Sequence, residues 1–235
     1  MIYVLSGGRS KDSKEINIEK EVFKLVGKTK INILFCPLAQ INNTDKCIER
    51  FNEYMKDLNY DAKYLIMDNL NQFDDLFNWC DIFYVYGGVC DTLVKIFKEY
   101  KLDLILKKYD DSNKIYYGIS AGAMLPTVTS LGDKDMFSDN FHNYNYKMVN
   151  CLGILNISIC PHYQNEDLII YNDIIKKYNL HSFGIEEDCA LVIDGTKYYV
   201  FKDYKYKSLY EFDKNYKMIP LYEGVKYEKN SGFRS

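Results

Sequence analysis

Residues 114–124 read KIYYGISAGAM, and the fold turns on how that stretch is read. Its first half is an aromatic and β-branched run of strand type, and its second half thins to small residues that permit a helix. Gly118-Ile119-Ser120-Ala121-Gly122 fits the Gly-x-Ser-x-Gly pattern of a sharp strand-to-helix turn. Neighbours on either side of the serine must be small there for the chain to fold back, and the turn lifts one hydroxyl clear of the sheet. The flanking strand and helix favour this reading over a plain glycine-rich turn.

Outward from that turn, the first two thirds of the chain alternate strands and helices. Apolar runs at 2–6, 31–36, 62–67, 82–86 and 114–118 are strand-like. Ile48, Phe51, Met55 and Leu58 recur at helical steps, as do Leu93, Ile96, Phe97, Tyr100 and Leu104. Apolar strands joined by amphipathic helices predict an α/β doubly wound, mostly parallel sheet covered on both faces. After 154–162 and a helix around Leu168 to Tyr178, strands crowd together at 182–185, 190–194, 197–201, 208–212 and 217–221. Asp194-Gly195 is a hairpin signal among them. An antiparallel C-terminal extension follows, on the same sheet or on a small adjoining one. No linker or repeat divides the 235 residues, so one domain is expected over 1–235, with a frayed end at EKNSGFRS.

Composition narrows the function classes. A net charge of −3 lacks the basic footprint of a nucleic-acid binder. No apolar run reaches the ~18 residues that a membrane span needs, and MIYVLSGGRS does not resemble a signal peptide, so none is expected. Seven scattered cysteines without a Cys-x-x-Cys pair suit reduced thiols in the cytoplasm, with neither a disulfide framework nor a metal site. No cofactor motif is present, since neither a Walker pattern nor Gly-x-Gly-x-x-Gly follows the strands.

In a doubly wound fold, ligands gather at the carboxyl ends of the strands, here SGGRS, CPLAQ, YGGVCDT, GISAGA and CPHYQN. A serine hydroxyl there needs a base. Of three histidines, His162 directly follows an apolar strand and a proline, whereas His142 in a polar loop and His181 before a strand read as structural or exposed. The acid behind the imidazole is drawn from Glu186, Glu187 and Asp188 in GIEEDCAL, or from Asp133 and Asp135 beyond the turn, and residue physics alone leaves that choice open. Backbone N–H groups of Ala121 and of Gly88 in YGGVCDT are the candidate oxyanion hole. Arg9, one of three arginines, stands at the end of the first strand, where a guanidinium fork could meet a substrate carboxylate.

YGISAGAM, the upstream YGG…TL, the downstream CPHY and then GIEEDCALV occur in an order and spacing that resembles the dipeptidase E and cyanophycinase family of serine peptidases. The resemblance covers the chain from the first strand to about residue 201. It implies a sheet related to class I glutamine amidotransferases and a triad of Ser120, His162 and Glu187, with Asp135 as second choice for the acid. The chain departs from the family's Gly-Gly-Asn-Thr loop, with Val89 and Cys90 after Gly88, and carries no basic residue in YQNEDLIIYNDII after His162. Strict preference for Asp-X peptides is therefore not expected.

A cytoplasmic serine peptidase acting on short peptides is the function expected, without metal or cofactor; a homodimer is left open. The rivals are a non-catalytic small-molecule or peptide binding protein on the same scaffold, and an esterase. An α/β-hydrolase esterase places its histidine late, after the acid, whereas His162 precedes Glu187.

Overall fold

The computed structural model describes residues 1–133, 146–164, 171, 175–176, 179–213, 215–229 and 233. Strands β1 (Ile2–Ser6), β2 (Ile31–Cys36), β3 (Tyr60–Tyr64), β4 (Ile82–Val85) and β5 (Ile115–Ile119) pair in parallel in the order β1-β5-β4-β2-β3. β4 and β5 are buried along their whole length, which is why their sequences are continuous apolar runs. Successive side chains alternate between the two faces. Val4, Phe35, Tyr84 and Tyr117 pack under α1 (Asn17–Val26) and α2 (Thr44–Met55). Tyr3, Leu34, Phe83 and Tyr116 pack under α3 (Phe73–Trp79), α4 (Cys90–Glu99) and α5 (Leu102–Lys108). This is the doubly wound sheet expected from the sequence.

Beyond β5, the short α6 (Ala121–Met124) leads into β6 (Thr127–Asp133) and β7 (Tyr146–Asn150). Then follow β8 (Leu155–Pro161), β9 (His181–Ile185), β10 (Cys189–Asp194), β11 (Lys197–Lys202), β12 (Leu209–Phe212), β13 (Met218–Leu221) and β14 (Tyr227–Glu228). The antiparallel extension takes both forms left open by the sequence. β10, β11 and β14 continue the first sheet beyond β1, whereas β12 and β13 add antiparallel strands to a second, mixed sheet of order β13-β12-β9-β8-β6-β7. In that sheet β9 runs parallel to β8 and β8 parallel to β6, against the antiparallel reading of β9. Leu155, Ile157, Phe183 and Leu209 of the second sheet belong to the same apolar cluster as Leu5, Val85 and Leu191 of the first. The strand before His162 thus belongs to the second sheet and not to the parallel one.

Three local expectations need correction. The third strand begins earlier than 62–67, at Tyr60: it is a half-exposed edge strand with outward Asp61 and Lys63, so the strongest apolar signal, at Leu65, falls just past its end. The helix read across Leu93–Leu104 breaks at Lys101, whose φ of 58° separates α4 from α5. Of the end expected to fray, Glu228, Lys229 and Phe233 are the described residues, and they are held in the fold. Phe233 is fully buried against His181 and Tyr198, and Lys229 donates its N–H to Thr196 O. Of the helix expected around Leu168 to Tyr178, Tyr171 and Ile175 are helical and buried, and most of the remainder lies outside the described residues.

The two sheets meet between Ile185 and Cys189, where Glu186-Glu187-Asp188 carries the chain from β9 into β10. β5 and β8, from different sheets, end near the same junction.

Candidate active site

The turn after β5 is built by close approaches that only glycine allows. A Cβ on Gly118 would stand 2.3 Å from Gly122 O, and one on Gly122 would stand 2.1 Å from Val85 O. Between them Ser120 adopts φ 53° and ψ −115°, a region costly for any residue with a side chain. The surroundings hold it there. Ser120 N–H donates to Ser6 O on β1 at 3.0 Å, and the amides of Ala123 and Met124 donate to Ser120 O. Tyr116 Oη–H, from beneath, caps Gly122 O at 2.6 Å.

His162 follows Pro161 at the end of β8, with φ 53°. Its amide donates to Gly7 O at 2.9 Å, which ties the second sheet to the loop after β1. The imidazole Nε2 lies 2.8 Å from Ser120 Oγ and Nδ1 lies 3.0 Å from Glu187 Oε1. With a proton on Nδ1, the ring donates to the carboxylate and accepts from the hydroxyl, so all three polar groups are in sequence. Gly8 backs the ring: a Cβ there would stand 2.3 Å from His162 Cε1.

The neighbours of Glu187 are occupied elsewhere. Glu186 Oε2 accepts the amide of Ser208, turned toward β12. Asp188 is fully buried, and its carboxylate accepts both the amide and the hydroxyl of Ser10 while its own N–H donates to Gly8 O. Together these bonds clasp the 7–10 loop against the sheet junction. Gly87, after β4, lies beside the serine, with its Cβ position 3.0 Å from Ser120 Cβ. Among the described residues, no protein acceptor takes the N–H of Gly88 or of Ala121.

Against this geometry, the family model for peptidase family S51 matches residues 2–201. The chain belongs to peptidase family S51. Serine-type peptidase is the enzyme class that S51 membership gives it. It is similar to an uncharacterized peptidase, YgaJ, of Bacillus subtilis strain 168, at 26% identity over 163 residues. That match covers 68% of this chain and 66% of the relative, just under two thirds of the latter's length. Among solved structures, a peptidase from an acI-B1 Actinobacterium superposes with a TM-score of 0.70 at 18% identity, over 97% of this chain and 96% of the other. A protein described as peptidase E from Listeria monocytogenes EGD-e gives 0.63 at 18% identity, over 86% and 98% respectively. These two likenesses bear on the fold, a mixed α/β architecture shared with the S51 chain.

Ser120, His162 and Glu187 are therefore together in this S51 chain, with Gly88 and Ala121 adjoining. Asp135, the second choice for the acid, and His142 lie outside the described residues. His181 is a structural group, pairing with Glu211 at 2.6 Å and stacked on Phe183. Among the described residues no cluster of three or more His, Cys, Asp or Glu side chains is arranged to hold a metal ion, and no helix is long and apolar enough to cross a membrane. Two contributors to the site are absent from the sequence reading: Gly8, and the clasp that Ser10 makes with Asp188, a residue read there only as a candidate acid. The doubled glycine of SGGRS was their one visible signal.

Arg9 corrects the expectation of a free carboxylate receptor. Its guanidinium is 3.2 Å from Glu19 Oε1 and 3.8 Å from Asp203 Oδ2, donates to Glu15 O, and lies 3.7 Å over the Tyr54 ring. The fork is spent on the protein's own acids. Burial pushes Glu19 up to about 7, against the pull of Arg9 and of the Tyr117 hydroxyl. The unfolded chain ionises this group near 4.5, so from there to about 7 unfolding releases its proton and folding is progressively disfavoured. The stability associated with Glu19 is complete at the acid end and falls by about 3 kcal/mol across that window. Urea unfolding of wild type and Glu19→Gln at pH 4.5 and 7.5 should show the difference between them moving in the variant's favour by about that amount. A difference independent of pH would contradict it.

Proposed function

We propose that the chain is a serine peptidase of short peptides that acts through Ser120, His162 and Glu187. The observation that carries this reading is the 2.8 Å approach of His162 Nε2 to Ser120 Oγ with Glu187 3.0 Å behind the ring. Ser120 Oγ attacks the scissile carbonyl carbon while Nε2 takes its proton, and Glu187 stabilises the imidazolium. The N–H groups of Gly88 and Ala121 hold the resulting oxyanion. The C–N bond then breaks, His162 returns the proton to the departing amine, and an acyl ester remains on Ser120. Water attacks that ester, with His162 again accepting the proton, to release the carboxylate and regenerate the serine. The seven cysteines, all buried and none joined in a disulfide, suit a reducing compartment such as the cytoplasm.

With Arg9 committed to Glu19 and Asp203, a preference for an acidic residue before the cleaved bond is not expected. A library of dipeptides and tripeptides followed by mass spectrometry tests the proposal. Release of amino acids from several sequences without selection for Asp is the expected result. Folded protein that cleaves no peptide would favour a binding protein on this scaffold, and cleavage of aryl esters alone would favour an esterase.

Gly8→Ala is expected to lower kcat by roughly 10²-fold, because the new methyl displaces the imidazole from its line between hydroxyl and carboxylate. The residue's φ of 135° adds backbone strain. Unchanged kcat in this variant would contradict the role given to the 7–10 loop.

A further inference from the structure

We propose that Gln40 is a positioning residue for the oxyanion site, acting through the peptide bond between Gly87 and Gly88. The inference rests on the serine-peptidase reading above. In a trans peptide the C=O and N–H point in opposite directions, so fixing one fixes the other. Gln40 Nε2 donates to Gly87 O at 3.1 Å, and that oxygen belongs to the same peptide group as the Gly88 N–H. A Cβ on Gly87 would crowd Ser120 Cβ at 3.0 Å, and Gly88 must lack one because a Cβ would be 2.4 Å from Ala39 O. A peptide flanked by two glycines, however, has few steric barriers against rotating its plane. Something outside the pair must select the orientation, and the carboxamide of Gln40 does so.

Gln40 is held for this task. Its N–H donates to Pro37 O, and φ −135° and ψ 53° interrupt the 3-10 turn of residues 38–43 at this position. Cys47 Sγ on α2 lies 3.7 Å from Oε1, leaving the NH2 group for Gly87. The next residue of the glycine loop is fastened to the same bed, with Val89 N–H donating to Ala39 O at 2.9 Å. A hydrogen bond to the carbonyl also polarises the peptide and makes its N–H a stronger donor toward developing negative charge.

Gln40→Met keeps the length and removes the donor; Gln40→Glu keeps the shape and replaces the donor with an acceptor. Each is assayed on the best library dipeptide and for binding of a peptide boronic acid, whose tetrahedral adduct carries the oxyanion. For both variants kcat is expected to fall roughly 10- to 100-fold, with KM within about twofold and boronate affinity falling in parallel. A merely structural role would lower thermal stability and leave kcat and boronate affinity at wild-type values. That outcome in either folded variant overturns the proposal. The two levels of the account fail differently: an active Ser120→Ala removes the serine-peptidase reading, whereas an inactive Ser120→Ala beside a fully active Gln40→Met removes only the role of Gln40.

Discussion

Ser120→Ala is expected to reduce peptide hydrolysis by roughly 10⁶-fold, because nucleophile, base and acid act as a unit and losing the first idles the others. Stability should change by no more than about 1 kcal/mol, the scale of one half-buried hydroxyl hydrogen bond. Alanine inherits the same φ of 53° and the same amide bond to Ser6 O, so the strained turn persists without its oxygen. Activity assays on matched, folded samples, with circular dichroism as control, separate loss of chemistry from loss of fold. Retention of more than a hundredth of wild-type activity would be incompatible with a nucleophilic serine.

Glu187→Gln is expected to cost roughly 10³- to 10⁴-fold in kcat. The substitution conserves size at the 3.0 Å contact with His162 Nδ1 but removes the charge that stabilises the imidazolium. It also offers an NH2 group to Nδ1, which favours the tautomer protonated on Nε2. That tautomer cannot accept the serine proton. Asp135→Asn supplies the matched comparison and is expected to leave kcat within a few-fold of wild type. The reverse pattern, a large loss at Asp135 and little at Glu187, would transfer the acid's role to Asp135.

Much of this architecture was legible where burial is simple. β1, β2, β4 and β5 are predominantly apolar because helices cover both faces, and their bounds follow the apolar runs closely. The turn at Ser120 was legible because its two glycines answer to backbone contacts that no side chain survives. β6 and β7 were not. Thr127, Thr129 and Ser130 are buried with their hydroxyls satisfied by Met124 O, Val149 O and one another, so a buried strand carries a polar sequence. The division into two sheets was equally hidden, since β9 and β10 look alike as sequence and differ only in which neighbours take their hydrogen bonds.

The site shows the same contrast. Ser120, His162 and Glu187 sit at strand ends with local sequence signals, and two of them carry positive or strained φ values that suit such ends. The engagement of Arg9 depends on Glu19 and Asp203, an acid on α1 and one beyond β11, and no spacing announces that pair. Gln40 likewise acts on a peptide 47 residues away. Contacts made between distant loops leave no period or motif behind.

Reaction with a fluorophosphonate probe, read by peptide mass mapping, tests the activation of the serine most directly. One adduct on the peptide containing Ser120, formed by wild type and lost in His162→Ala, is the result expected. Folded wild-type protein that stays unlabelled, or labelling that is indifferent to His162, would contradict the coupling of hydroxyl and imidazole on which the mechanism stands.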